Sequence, residues 1–191
     1  MTTTKTTAIS NSKTGDASGP ARKLLSFALG KEEYGLDILA VREIIGVIDI
    51  TPLPRTPAYV KGVINLRGKI IPVIELRARF GLTPVPYTEE TCIIVVDVPV
   101  EGAGEPESRL MGVVVDTVRE VLDIPHAAIE PAPEFGCSIP MDCITGIGKV
   151  KDKVVVMLDA TKVMNPGDTG VLGSTLRTDD AAPAPALANA A

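Results

Sequence analysis

Two observations predict an all-β protein built from two small, similar barrels with only short helices. Apolar runs rich in Val and Ile alternate with Gly- and Pro-marked turns along most of the chain. The pattern of the first half then returns in the second. The best local signal is Val60–Leu76, two apolar runs facing each other across Leu66-Arg67-Gly68-Lys69. It reads as a β-hairpin with a charged tip, because Gly68 admits the positive φ of a tight turn. A lone hairpin buries too little surface to be stable in water, so the other segments must supply the sheet it joins.

Taken in order, Met1 to about Lys23 is Thr, Ser, Lys and Gly with hardly an apolar side chain, and is expected to be a disordered tail. Leu24–Leu29 alternates imperfectly, and Gly30-Lys-Glu-Glu33 turns the chain into Tyr34–Ile38, a second hairpin. Ile38, Val41, Ile44 and Ile45 recur at helical spacing around Arg42 and Glu43, which suggests a short helix or an extended turn. Thr51-Pro-Leu-Pro-Arg-Thr-Pro57 cannot continue a helix and would break a central strand, so it is a loop. Arg77–Gly81 looks like one helical turn closed by Gly. Leu82–Tyr87 marks a connection, and Thr91–Val98 is a near-continuous apolar run typical of a strand buried on both faces. Glu101–Ser108 reads as an exposed loop and Leu110–Val115 as the return strand. Pro125–Pro140 is irregular, and Ile144–Leu158 gives another strand pair around Lys151-Asp152. From Asn165 the chain turns polar and then to low-complexity Ala and Pro, a second expected tail over 165–191.

The repeat is gapless where it is clearest. Gly35–Ile44 aligns with Gly112–Val121, and Gly62, Lys69 and Glu75 fall on Gly146, Lys153 and Asp159. The spacing grows from 77 to 84 residues between the two matches, which places an insertion in the second proline-rich loop. Each half therefore runs hairpin, Val-Arg-Glu segment, proline loop, hairpin, short helix. Four or five short strands per half with Gly-marked corners imply barrels, since closure removes exposed edges. The predicted subdomains are about 24–82 and 89–164, with strands possible in exchange between them.

Composition bounds the function. The chain has 191 residues, 45% hydrophobic and 23% charged, enough for one ordinary domain or two small barrels. Aromatics are 3% with no Trp, so the core must be aliphatic. A net charge of −5 argues against nucleic acid, whose phosphates call for a basic face. No apolar run reaches the ~18 residues needed to span a bilayer and no signal peptide is evident, which points to the cytoplasm. Cys92, Cys137 and Cys143 are odd in number and form no C-x-x-C pair, as suits reduced thiols.

Catalytic constellations are missing. His126 follows a proline with no carboxylate or Ser placed by motif to make it a base, and reads as an exposed spectator. Together with Cys137 and Cys143 it lacks any usual zinc spacing. Gly146-Ile-Gly148 meets Lys151 where a dinucleotide loop needs Gly. No catalytic residue, metal or cofactor is expected. What stands out is a few charges set among apolar residues, Glu43 beside Val41, Ile44 and Ile45, and Arg67 beside Ile64 and Leu66. Apolar surface around isolated charges is how a protein-binding patch looks.

Tyr34-Gly-Leu-Asp-Ile, Val41-Arg-Glu-Ile, Thr56–Gly68, Ile71–Arg77 and Pro131–Phe135, five ordered motifs at coherent spacing, resemble the CheW-like family of bacterial chemotaxis coupling proteins. The likeness runs from about Leu24 to Met164. It implies two packed SH3-like five-stranded β-barrels in a domain over 24–164. It also implies a non-enzymatic adaptor between chemoreceptor cytoplasmic tips and the histidine kinase CheA, monomeric alone, ring-forming in membrane-associated arrays. No receiver domain is expected to follow, which would separate the chain from the related CheV type. Carried over by position, the resemblance assigns receptor binding to Arg67, Asn65, Leu66 and Gly62. It adds Val113, Val115 and Val118 as the apolar floor of a groove for a receptor helix. Kinase contact falls on Val41, Glu43 and Ile44 in the first barrel and on Glu134 and Phe135 in the second. Glu130 departs from the basic residue of many relatives. Val118-Arg-Glu120 is expected to be structural, and Lys151, not Arg, occupies the place of Arg67 in the second half. The competing class is an enzyme or small-molecule sensor using the cleft between the barrels.

Overall fold

A computed structural model describes residues 21–100, 107–132, 141–150 and 153–164. The Val60–Leu76 hairpin forms as expected, β4 (Val60–Leu66) pairing antiparallel with β5 (Lys69–Glu75), and Leu66 faces Lys69 across the turn. The N-terminal hairpin is β1 (Arg22–Leu29) with β2 (Glu32–Asp37). One helical turn, α1 (Leu76–Arg79), follows β5 and ends before Gly81, whose φ is 67°. The buried run becomes β6 (Cys92–Val100), which pairs with β7 (Glu107–Val115). Then come β8 (Thr117–Ile124), the two-residue β9 (Ile129–Glu130), β10 (Ile144–Val150), β11 (Lys153–Leu158) and α2 (Ala160–Val163).

Two expectations about single segments fail for physical reasons. Ile38–Ile45 is neither a helix nor a turn throughout. A 3-10 turn over Ile38–Ala40, capped by Asp37 accepting the Leu39 amide at 3.0 Å, leads into a strand, β3 (Val41–Gly46), paired with β6. The turn followed by a bulge between Val41 and Glu43 imitates helical spacing, while exposure alternates strictly along the strand. The loop expected over Glu101–Ser108 ends early, because Glu107 and Ser108 already pair with Val100 and Pro99 in β7. Its remainder, like Lys151-Asp152 and the second half of the second proline-rich loop, lies outside the described residues.

The strands form two sheets, β3-β6-β7-β5-β4 and β8-β1-β2-β11-β10-β9. The repeat explains the order. If each strand is replaced by its mate in the other half (β1 for β6, β2 for β7, β8 for β3, β11 for β5, β10 for β4), one sheet becomes the other, with β9 added. Irregularities repeat as well: the register slips between Val60 and Gly62 in one copy and between Ile144 and Gly146 in the other. Neither sheet comes from one half of the chain. Each takes its inner hairpin from one half and its flanking strands from the other, through the pairings β1–β8, β2–β11, β3–β6 and β5–β7.

The result is mostly β with two SH3-like units, although the ladders stay open where closed five-stranded barrels were expected. In the first unit the gap between edge strands β3 and β4 is bridged by the chain itself. Beyond β3, Thr51 exchanges hydrogen bonds with Val63, both at 2.9 Å. Gly62 allows this close approach: a Cβ there would lie 2.0 Å from the Thr51 carbonyl oxygen. Ile64, Ile71, Val73, Ile93, Val95 and Val114 fill the first unit, Leu24, Ile124 and Met157 the second. The largest cluster lies between them, around Phe27, Tyr34, Ile74, Phe80, Ile94 and Met111.

Candidate partner-binding surface

Arg67 and Gly68 both adopt positive φ, 53° and 82°, as a two-residue hairpin turn of the primed kind demands. The Asn65 side chain steadies the turn by accepting the Gly68 amide at 2.9 Å. Gly suits such a position and Arg does not; a non-Gly residue in the left-handed region costs about 1 kcal/mol. Residues held against that preference tend to cluster at functional sites. The Arg67 side chain is 79% exposed and its guanidinium reaches Glu43, Nη2 to Oε2 at 3.0 Å and Nη1 to Oε1 at 3.5 Å. Glu43 stands on β3, so the pair spans the two edge strands of one sheet. On either side of it lie Arg42 and Ile44. Arg42 pairs with Asp97 of β6 and holds that carboxyl below its ordinary range. Ile44 is 43% exposed, and Leu39 and Ile48 nearby in sequence are exposed too. Val41 is half-buried against the central core.

The structure thus brings the two predicted surfaces together at Arg67 and Glu43 and redistributes the remaining residues. Gly62 is buried under Thr51 and Leu66 packs into the first unit, so both shape the hairpin. Val113 and Val115 are not the open floor of a groove. They lie on β7, the middle strand of its sheet, 2% and 1% exposed and packed in the central core. Val118 is half-buried against the same core. Glu134 and Phe135 lie outside the described residues. Glu130 is paired with Lys149 at 2.8 Å, an exposed contact between β9 and β10. His126 is exposed. Among the described residues no group of side chains could hold a metal, and Cys92 and Cys143 are free thiols.

Sequence reasoning missed Arg77 and Asp116. The Arg77 guanidinium donates to both Asp116 oxygens, at 2.7 and 2.8 Å, and to the Thr83 carbonyl at 2.7 Å, while the Gly30 amide donates to Asp116 at 2.6 Å. The Arg77 hydrogen bond holds the Asp116 carboxyl below its ordinary range. Beside the pair is a cleft of about 230 Å³ lined by Lys61, Glu75, Val85 and Tyr87 among others. Tyr87 donates to Glu75 at 2.6 Å, and burial followed by that bond pushes its phenol upward. The cleft's charged groups are engaged with one another. The only sequence cue was the unexplained Arg ending the motif Ile71–Arg77.

The CheW-like domain family matches residues 23–166, nearly all of the described chain. The chain belongs to this family. Within it, the chain is 36% identical over 157 residues to the chemotaxis protein CheW of Klebsiella aerogenes, covering 82% of this chain and 90% of the relative. It is 33% identical over 142 residues to the CheW of Rhizobium meliloti, covering 74% and 86%. The crystal structure of the scaffolding protein TtCheW from Thermoanaerobacter tengcongensis superposes with a TM-score of 0.67 at 36% identity, covering 78% of this chain and 90% of that one. These relatives are named as chemotaxis and scaffolding proteins. No helix among its described residues is long and apolar enough to cross a membrane.

Proposed function

We propose that this CheW-like protein is a cytoplasmic adaptor that couples methyl-accepting chemoreceptors to a CheA-type histidine kinase and helps build the receptor array. The reading rests on the family membership and on one observation: a strained, exposed Arg67 at a hairpin tip, paired with Glu43 on the neighbouring edge strand. Arg67 faces the receptor tip, with Asn65 holding the turn in shape. Val41, Glu43 and Ile44 on β3 form the kinase-facing edge, where an exposed Ile beside a carboxylate offers apolar area and one directional contact. The functional unit is the domain over 24–164, and its Glu134 and Phe135 supply a second kinase contact.

Mechanism here is geometry. An adaptor that engages two partners at once raises the effective concentration of each for the other. A shift of the receptor that pulls on Arg67 acts on Glu43 through their shared ion pair, and so on the strand the kinase reads. That is a coupling free energy in the thermodynamic sense, and it must be reciprocal. The test is a pull-down on receptor cytoplasmic fragments and on the kinase regulatory domain: Arg67→Ala should lose the receptor and retain the kinase. Normal receptor binding by that variant would overturn the assignment.

A further inference from the structure

Taken alone, residues 21–82 supply two hairpins, β1–β2 and β4–β5, and a third strand, β3, that pairs with neither. Residues 92–164 are in a similar position, with β6–β7 and β10–β11 as hairpins, the two-residue β9 extending the latter, and β8 outside both. Every ladder that joins hairpins into a sheet runs between the halves. The central cluster is divided the same way: Leu25, Phe27, Tyr34 and Ile74 meet Ile94, Met111 and Leu158. The polar contacts also cross, with Arg77–Asp116, Arg42–Asp97, Lys153–Glu33 at 3.4 Å, and the Ser26 hydroxyl donating to the Glu120 carbonyl at 2.9 Å. An interface carrying most of the apolar core and four ladders is what an obligate complex looks like, a domain core cut in two. An isolated hairpin in water has no such support. Among the described residues the only covalent link is the segment between α1 and β6, whose residues 83–90 are all exposed.

We propose that the two halves are complementary docking partners that hold together without their connector, so that two copies of the chain exchange halves into a dimer. Each unit of that dimer combines the first half of one copy with the second half of the other. All inter-half contacts are indifferent to which chain supplies them, and only the connector changes path, the condition under which swapping is a low-cost route to dimers. In dilute solution the connector favours the closed monomer, because it keeps the halves at an effective concentration of the order of 1 mM.

The test uses the full chain with a site-specific protease sequence inserted between Val85 and Pro86, in exposed backbone that tolerates insertion. After cleavage the nicked protein should elute at unchanged size with an unchanged far-ultraviolet spectrum. Separated in urea and returned to buffer, each fragment should lack a cooperative unfolding transition, and mixing should restore it. A fragment that keeps a cooperative transition by itself, or a nicked protein that falls apart, overturns the proposal. In a second arm, two differently tagged full-length chains are refolded together at rising concentration. With the two tags mixed equally, doubly tagged dimer should reach about a quarter of the chains near the connector's effective concentration, where about half of the chains are dimeric, and its absence there contradicts exchange.

Discussion

Arg67, at the tip of the β4–β5 hairpin, and Glu43, on β3, are joined by a guanidinium–carboxylate pair at 3.0 Å although they stand on opposite edges of one five-stranded sheet. The two strands can meet because the sheet curls and the chain after β3 returns to bridge β4 at Thr51. The ion pair therefore adds a side-chain link across the open seam of the unit. Its net stabilisation is small, ~0.2–1 kcal/mol for an exposed pair.

Replacing Arg67 by Gly removes the positive-φ strain and the weak ion pair together, while freeing the unfolded chain slightly. These effects nearly cancel, so the urea midpoint of Arg67→Gly should stay within ~0.5 kcal/mol of the parent. A large loss of stability would show that the guanidinium holds the fold rather than faces a partner.

Gly62→Ala should behave very differently from Gly68→Ala. A Cβ at 62 meets the backbone oxygen of Thr51 at 2.0 Å, whereas at 68 it meets nothing within 4 Å. The first variant should lose ~2–4 kcal/mol and the second about 1 kcal/mol, the left-handed penalty alone. Equal losses in denaturant titrations would argue against the Thr51–Val63 seam.

Asp116 gives the fold an acid limb. Its carboxyl is held below the ordinary value of 3.8 chiefly by the Arg77 hydrogen bond. A depressed folded-state pKa contributes stability that is complete above the unfolded value and is lost as pH falls through the lower folded value. Asp116→Asn should cost ~1–3 kcal/mol at pH 7, by stranding a half-buried guanidinium, and should flatten the stability loss below about pH 4. Midpoints measured between pH 7 and pH 2.5 check both; an unchanged acid limb would place the sensitivity elsewhere.

The sequence exposed what depends on local pattern. Hairpin positions, the Gly68 turn and the buried β6 run follow from apolar spacing and glycine chemistry, and the matched glycines Gly62 and Gly146 prove to stand at equivalent register slips, a feature the sequence reading did not anticipate. What stayed hidden depends on pairing partners distant in the chain. Val41–Gly46 reads as helical until β6 is set beside it, since a preceding 3-10 turn and a bulge disguise its alternation. Val113 and Val115 look like any half-buried strand residues, and only the middle place of β7 shows that both of its faces are covered. Arg77 and Asp116 stand 39 residues apart and carry no motif that would pair them.

The central claim is that one surface feature joins two partners, and a ternary binding measurement tests it most directly. A receptor cytoplasmic fragment is immobilised, a CheA-type kinase regulatory domain is supplied in solution, and retention of the kinase is read with and without this protein. The parent chain should retain the kinase. Arg67→Ala should lower receptor affinity about tenfold or more while calorimetry shows unchanged kinase affinity, and Glu43→Lys should do the reverse. Retention of kinase by both variants at the parent level would contradict the account.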